Sequence, residues 1–189
     1  MDFIINFLGA NPYQAIAIPI AGGLASGICL NGNSNIIGLL GNPRYTIKTW
    51  YSTLRKPEYN PPNWIFAPVW TVLYATMGYS SHLVARVAME TLQQPQYLVA
   101  RQALGIYGLQ LGVNLLWTPI FFGQRNPRAA LLDIGVLGGL VGSMTWLFAE
   151  SDELAGWLCV PYLGWVGFAT YLNYSIVKLN PGDGVDKTK

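Results

Sequence analysis

Residues 128–149 read RAALLDIGVLGGLVGSMTWLFA, an apolar stretch about as long as one helical crossing of a bilayer requires. The strands of a transmembrane barrel would alternate polar and apolar residues, and Leu131 to Leu140 shows no such alternation. Backbone groups in lipid must satisfy one another's hydrogen bonds, so a helix is the expected structure. This stretch therefore predicts a transmembrane α-helix.

Four further stretches of the chain have the same character. The sequence therefore predicts an all-α fold, an integral membrane bundle of five transmembrane helices in one domain over residues 1–180. A polar, Gly-rich and disordered tail is expected over residues 181–189. The five predicted helices cover residues 12–30, 64–88, 98–122, 128–149 and 154–179.

Composition supports lipid as the solvent of this chain. Of its 189 residues, 52% are hydrophobic and 11% are charged, whereas an average soluble domain carries about 25% charge. The aromatic share of 13%, with seven Trp and eleven Tyr, suits membrane interfaces or a pocket for a flat ligand. No run of basic residues of the kind that binds nucleic acid is present, so a nucleic-acid partner is not expected.

The basic residues are distributed unevenly along the chain. Nine of the eleven fall in the connection at 31–63, in the connection at 123–127 with its flank, or at the C-terminus. The predicted helices place all three segments on one side of the membrane. By the positive-inside rule that side, including the C-terminus, is cytosolic.

The connection over residues 31–63 is long for so small a domain, which is typical of a lid or a binding loop. Its first half, 31–43, is rich in Asn and Gly and is expected to be mobile. Its second half, 50–64, contains three prolines and is expected to be stiff. The large apolar residues of this half need a surface to cover, which predicts a rigid cytosolic lid over the bundle. These residues are Trp50, Tyr51, Leu54 and Tyr59.

Three GxxxG patterns, at 23–27, 108–112 and 135–139, would let helix backbones approach closely. Packing within the bundle is the first interpretation of all three. The alternative is a homodimer that forms through Gly108 and Gly112 of the third predicted helix.

Polar and aromatic side chains recur at helical spacing on three predicted helices. If all three faces point inward, they would form an aromatic cavity with a few polar groups, which is typical of a small-molecule site. Ordinary helix packing with interhelical hydrogen bonds explains the pattern equally well, and both interpretations stay open here. The three faces consist of Phe66, Trp70, Tyr74 and Met77; of Gln110, Asn114, Trp117, Thr118 and Phe121; and of Tyr162, Trp165, Ala169, Leu172 and Asn173.

Few other residues could carry chemistry. Asp133 would lie inside a membrane helix, where pairing with Arg128 or a base of residues 31–63 is the favoured interpretation and a proton or ligand site is the alternative. His82 is the only histidine, so neither a metal site nor a Ser-His-acid triad is expected. Cys29 and Cys159 fall toward opposite membrane faces, too far apart for a disulfide, and are expected to be buried free thiols.

Three motifs indicate a family. Residues 50–74 match WYxxLxKPxxxPPxWxFxPVWTxLY, residues 114–123 read NLLWTPIFFG, and PYLGW at 161–165 is followed by LNY at 172–174. In this order and spacing they resemble the translocator protein and tryptophan-rich sensory protein family over residues 50–179. Two departures are the longer connection through Asn31 to Ile47, and Ala129 at a position where many animal members carry Trp.

The resemblance implies a five-helix bundle with a cytosolic C-terminus and a ligand cavity covered by residues 31–63. It implies a receptor or transport role for porphyrins, haem, sterols such as cholesterol and drug-like aromatic molecules, with no required cofactor. In a eukaryote it implies the mitochondrial outer membrane. Gly27 and Leu30 align less closely with the family cavity. The residues that match family cavity positions are Phe66, Ala67, Val69, Trp70, Tyr74, Asn114, Thr118, Trp165, Ala169 and Leu172.

Two further functions follow from the resemblance. Leu172, Tyr174 and Lys178 match a cholesterol motif, although Tyr174 and Lys178 equally suit an interfacial anchor with a snorkelling amine. Some family members are reported to degrade porphyrin, so the alternative function is an enzyme that uses Trp70 and Trp165.

Overall fold

The structure, a computed structural model, describes residues 1–30, 47–91 and 95–181, and the side chains of all of these except 27–30 and 47–49. Every regular element in these ranges is helical. The seven α-helices are α1 (Asp2–Ala10), α2 (Pro12–Leu30), α3 (Ile47–Thr53), α4 (Phe66–Glu90), α5 (Pro95–Thr118), α6 (Pro127–Ser151) and α7 (Glu153–Leu179). A 3₁₀ turn, Asn63–Ile65, precedes α4, and a π-helical turn, Pro119–Gly123, extends α5.

The five predicted helices correspond to α2 and α4 to α7, with ends that agree within about three residues when the turn Pro119–Gly123 is counted with α5. Helices α1 and α3 were not expected. In the described part of the chain, only Pro95–Gly123 and Pro127–Ser151 are long and apolar enough to cross a membrane by composition alone. The pair of α1 and the start of α2, bent by 106°, would add a third. Five crossings therefore stay a prediction.

Helix α4 carries many polar side chains, yet several of their hydroxyl groups are satisfied inside the helix. In α4, the Thr71 hydroxyl donates to the Ala67 carbonyl at 2.8 Å, and the Ser80 hydroxyl donates to the Thr76 carbonyl at 2.9 Å. A hydroxyl bonded to the preceding turn no longer needs water. The mean hydropathy of α4 therefore underestimates how well this helix suits a lipid environment.

The helices form one bundle in which α4 packs against α2, α5 and α7, and α6 packs against α5 and α7. The closest approach of α2 to α4 occurs at Gly78. A Cβ on Gly78 would lie 2.6 Å from the Ala15 carbonyl oxygen and 2.7 Å from the Ile16 Cα. Only a residue without a side chain lets the two backbones come this close.

The expected packing of the GxxxG glycines within the bundle is wrong for α5 and α6. No heavy atom lies within 4 Å of a Cβ built on Gly108, Gly112, Gly135 or Gly139. These glycines face away from the neighbouring helices, because the larger residues of α5 and α6 occupy the inner faces. Gly23, by contrast, packs against the ring of Tyr74.

The turn between α5 and α6 depends on two prolines. Pro119 has no N–H, so the α-helical hydrogen bonds stop there, and Gln124 N–H donates to the Pro119 carbonyl at 2.9 Å in a π-helical bond. Asn126 then caps α6 by accepting from Ala129 N–H at 3.0 Å, with Pro127 as the first helical residue. This turn places Phe121 and Phe122 beside the site described below.

Asp133 and Cys159 differ in whether their surroundings agree with the sequence. The expected pairing of Asp133 with Arg128 is wrong, because the Arg128 guanidinium donates to the Pro181 carbonyl at 2.9 Å. The Oδ2 atom of Asp133 is buried without a hydrogen-bond partner among the described residues. Cys159 is a buried free thiol, as expected. The side chain of Cys29 lies outside the described residues, as do residues 31–43 and residues 182–189 of the predicted tail.

Candidate functional site

A cavity of about 580 Å³ opens at the end of the bundle where α5 meets α6 and α7 ends. This volume is in the range of small-molecule sites. None of the residues found to line it is acidic. The lining residues are Tyr51, Ser52, Lys56, Asn60, Asn63, Phe66, Trp70, Trp117, Thr118, Phe121, Phe122, Ala169, Leu172, Asn173 and Ile176.

Aromatic rings from α4 form one side of the cavity. Trp70 makes an edge contact with Tyr162, with ring centroids 6.1 Å apart, and packs on Tyr74 at 5.4 Å. Phe66 makes an edge contact with Trp165 at 5.8 Å. The indole N–H of Trp165 is buried and has no hydrogen-bond partner among the described residues. These contacts fix the rings in place, so the apolar face they offer is formed before any ligand arrives.

Residues 47–63, which we call the cover, lie across the open end of the cavity. The rings of Trp50 and Tyr51 make edge contacts with Phe121 at 5.7 and 6.2 Å. Leu54 is buried in a cluster with Phe121 and Ile176. The apolar residues of the cover therefore find the surface that the sequence predicts, with the exception of Tyr59, which is 75% exposed.

The cover also brings polar groups to the cavity. The Lys56 Nζ atom lies 4.2 Å from the centre of the Tyr51 ring, a cation–π arrangement that holds the ammonium near the opening. Burial raises the pKa of the Tyr51 phenol, and the Asn60 side chain partly opposes this rise. The phenol therefore stays protonated at neutral pH and can act as a hydrogen-bond donor.

The cover is held to the end of α7 by the side chain of Asn180. Its Oδ1 accepts from the Arg55 N–H at 3.0 Å, and its Nδ2 donates to the Arg55 carbonyl at 2.9 Å and to the Ile176 carbonyl at 2.7 Å. One amide side chain thus pairs with both polar groups of Arg55, as a neighbouring β-strand would. We call this arrangement the Asn180 clamp.

A chain of buried hydrogen bonds crosses the bundle below the cavity. The Tyr74 hydroxyl donates to Asn114 Oδ1 at 2.6 Å, and Asn114 Nδ2 donates to the Tyr162 hydroxyl at 3.1 Å. The Tyr162 hydroxyl donates to Gln110 Oε1 at 2.9 Å, and Gln110 Nε2 donates to Met77 Sδ at 2.9 Å. This polar chain joins α4, α5 and α7, and it uses both ends of the Asn114 amide.

Asn173 makes a second buried connection at the cavity. Its Oδ1 accepts from Trp117 Nε1 at 3.1 Å, and its Nδ2 donates to the Pro127 carbonyl at 2.8 Å. Pro127 begins α6, so Asn173 ties α5, α6 and α7 together. Its role in the structure is to fix the indole of Trp117 against the cavity.

The structure places the sequence-derived site residues in three groups. Phe66, Trp70, Thr118, Ala169 and Leu172 line the cavity. Tyr74 and Asn114 belong to the polar chain, and Trp165 borders the cavity through Phe66. Val69 packs on the core and Ala67 is exposed.

The three residues of the sterol motif are not brought together. Leu172 is buried and lines the cavity, whereas Tyr174 and Lys178 are exposed on the outer face of α7. Residues two apart on a helix point about 200° apart, which explains this division.

The sequence interpretation did not identify the polar residues of the cover or the clamp. Lys56 and Asn60 belong to the motif at 50–74, but the sequence alone predicts only that this segment is a stiff lid. Asn180 follows directly after α7, where Asn is a common helix-ending residue. That position could have suggested a structural role, but its pairing with Arg55 spans 125 residues of sequence.

The chain matches known proteins over most of its length. The model of the TspO/MBR family matches residues 15–179. The chain is 39% identical to the translocator protein of Homo sapiens over 133 residues, 70% of this chain and 76% of that protein. It is 38% identical to the tryptophan-rich protein TspO of Chlorobaculum tepidum over 161 residues, 84% and 94% of the two chains. It is 40% identical to the tryptophan-rich sensory protein of Cereibacter sphaeroides over 131 residues, which are 69% of this chain and 77% of that protein. These matches confirm the resemblance, and α1 precedes the part that matches the family.

Proposed function

Since this chain belongs to the TspO/MBR family of integral membrane proteins, we propose that its cavity binds porphyrins and haem, sterols such as cholesterol, and drug-like aromatic molecules. The observation that carries the proposal is the pairing of fixed aromatic rings with one cationic group at a cavity of about 580 Å³. A flat ring system stacks on Phe66 and Trp70, and dispersion and apolar burial provide most of its affinity.

Polar groups at the cover determine how such a ligand is oriented. Of the described residues that line the cavity, Lys56 alone is charged, and it attracts a carboxylate. Tyr51 offers a phenolic donor beside it. A porphyrin therefore binds with its carboxylates toward the cover and its apolar edge toward Ala169 and Leu172. A sterol has a single hydroxyl to place at the same polar end.

The proposal is tested by titrating protoporphyrin and cholesterol into the reconstituted protein and following tryptophan fluorescence. Saturable quenching by protoporphyrin is expected, because Trp70 and Trp117 line the cavity. Failure of both ligands to saturate at micromolar concentration would remove the proposed function.

The alternative function is porphyrin degradation that depends on tryptophan. Trp70 lines the cavity and Trp165 lies one ring further away, behind Phe66, so both indoles are near a bound porphyrin. Illumination of the protoporphyrin complex separates the two functions. A binding protein leaves the pigment spectrum unchanged, whereas an enzyme yields a new product spectrum that is lost in Trp70→Phe or Trp165→Phe.

We propose further that the cover acts as a lid whose closure depends on the Asn180 clamp. Replacement of Asn180 by alanine removes two hydrogen bonds between α7 and Arg55. Each is worth about 0.5–1.5 kcal/mol, so the dissociation rate of protoporphyrin is expected to rise roughly 5- to 150-fold while the association rate changes little. Stopped-flow fluorescence measures both rates.

Ser175→Ala is the matched control for this prediction. Among the described residues, the Ser175 hydroxyl bonds only to the Tyr171 carbonyl of its own helix, at 2.8 Å, so its loss should leave both rates unchanged. Asn180→Asp keeps the acceptor for Arg55 N–H and loses the donor, so an intermediate dissociation rate is expected. Equal dissociation rates in Asn180→Ala and the parent protein would show that the cover does not retain the ligand.

Topology and location complete the proposal. Five crossings would put the cover and the C-terminus in the cytosol, with the outer mitochondrial membrane as the site in a eukaryotic host. A cysteine introduced at Ser52 should then be labelled from the cytosolic side only, and one at Ser151 from the opposite side only. Labelling of both from one side would contradict five crossings.

We also propose that two copies pair through α5, because Gly108 and Gly112 leave an open, small-residue surface there. Single-molecule photobleaching of the reconstituted protein, with Gly108→Leu as the variant, tests for two copies per complex.

A further inference from the structure

Helix α1 is separated from the bundle helices by a break that the sequence specifies. Pro12 begins α2 and has no N–H, so it cannot donate to the Leu8 carbonyl four residues earlier. Asn11, which precedes the proline, is extended at φ −151° and ψ 123°. Its side chain accepts from Tyr13 N–H at 2.9 Å and starts α2. The two helices consequently meet at 106°.

The orphaned carbonyl at the end of α1 is satisfied by His82. The Nδ1 atom of this histidine lies 2.8 Å from the Leu8 carbonyl oxygen. A carbonyl can only accept, so Nδ1 carries the proton and donates. His82 is buried and is the only histidine in the chain. Its presence inside α4 is explained by this contact with α1.

The inner and outer faces of α1 differ in what they contact. Ile5 and Leu8 are buried in the main hydrophobic core, beside the end of α4. The outer face carries the stacked rings of Phe3 and Phe7, and Phe3 is 80% exposed. Asp2, the one acidic side chain of α1, accepts from the Tyr97 hydroxyl at 3.0 Å. Because the inner face of α1 packs on the protein and its outer face is apolar, the outer face is stable only in contact with an apolar environment.

The level of α1 along the bundle is marked independently by two tryptophans. Trp146 and Trp157 lie at the end of α6 and the start of α7, at the same bundle end as the junction of α4 and α5. Both indoles are exposed, and their N–H groups donate to Glu150 at 2.9 Å and Glu153 at 3.4 Å. An apolar ring with its polar edge turned to a carboxylate is the arrangement found at a headgroup boundary.

We infer that α1 lies in the plane of the membrane surface, with Phe3 and Phe7 inserted at the boundary of headgroups and acyl chains, and that His82 docks it there. At nine residues it is about 14 Å long and cannot cross a hydrocarbon core of about 30 Å. Because α1 carries no basic residue, its partner is the apolar boundary of the bilayer and not the charge of anionic lipids. This surface lies outside the family match and does not depend on ligand binding in the cavity.

The test measures the depth of two spin labels in the full chain. Cys29 and Cys159 are replaced by alanine, and labels are placed at Phe3→Cys or Phe7→Cys in phosphatidylcholine nanodiscs. Relaxation by oxygen and by a water-soluble nickel chelate reports depth. Positions four apart differ by about 6 Å along a helix axis, so an in-plane helix gives nearly equal depths. A difference near 6 Å, or labels relaxed mainly by nickel, would overturn the inference.

The depths should not change when part of the phosphatidylcholine is replaced by phosphatidylglycerol. Deeper insertion of the labels in the anionic discs would also count against the inference.

The role of His82 is tested by His82→Leu, with His82→Gln as the matched variant that keeps a donor. Loss of one buried hydrogen bond should speed hydrogen exchange of the α1 amides about tenfold in His82→Leu, and His82→Gln should restore part of the protection. Unchanged exchange in His82→Leu would show that α1 is not docked by His82. If His82→Leu does not fold, α1 amides of the parent protein that exchange as fast as those of a peptide of residues 1–11 would show that α1 is not docked.

Discussion

Replacement of Trp70 by alanine is expected to weaken protoporphyrin binding about 5- to 150-fold, since one ring–ring stacking contact is worth roughly 1–3 kcal/mol and each 1.4 kcal/mol is a factor of about ten. The indole lines the cavity and packs against Tyr74 and Tyr162, so its stacking face is positioned before the porphyrin binds. Isothermal titration calorimetry measures the loss without relying on tryptophan fluorescence.

Trp146→Ala is the control for this prediction. Trp146 is 69% exposed at the far end of α6, so the Trp146→Ala variant should bind protoporphyrin with the affinity of the parent protein. Unchanged affinity in a folded Trp70→Ala variant would place the porphyrin somewhere other than this cavity.

Among substitutions of glycine by alanine at the described glycines of α4 to α6, Gly78→Ala is expected to destabilise the protein most. The added carbon would meet the backbone of α2 at 2.6 and 2.7 Å, and a backbone cannot rotate away as a side chain can. The two helices must separate, which costs about 1–3 kcal/mol of the free energy of unfolding. Unfolding in mixed micelles, followed by circular dichroism, measures the change.

Gly135→Ala provides the matched control, because nothing lies within 4 Å of the added carbon and Gly135 lies on α6, outside the proposed contact between two copies. Alanine favours a helix over glycine by about 1 kcal/mol, so this variant should be as stable as the parent or slightly more so. If Gly78→Ala were equally stable, α2 and α4 would not approach each other as described.

The positions of the long helices follow from the sequence because length and apolarity are local properties. Pro12, Pro95 and Pro127 mark helix starts, and all three are visible without a structure. Helix α1 was missed because nine residues are too few to show a membrane-length pattern. Its docking depends on His82, which lies 74 positions away along the chain.

The site could be predicted only in part, for a related reason. Helical periodicity shows which side chains face inward, and Trp70, Tyr74 and Asn114 all do. It does not show that Tyr74 and Asn114 satisfy each other while Trp70 borders open space. The polar contribution of the cover was hidden because it depends on how Lys56 and Asn60 fold back over the bundle, which no local pattern encodes.

The polar chain below the cavity has a consequence for proton movement. Its donors all point the same way, from Tyr74 through Asn114, Tyr162 and Gln110 to Met77. A hydroxyl can pass a proton on by accepting one and releasing another, but a neutral amide has no proton that it gives up readily and no strongly basic site. Two amides alternate with the two hydroxyls, and a thioether ends the row. This row of buried groups thus has its hydrogen bonds satisfied without forming a path that would relay protons.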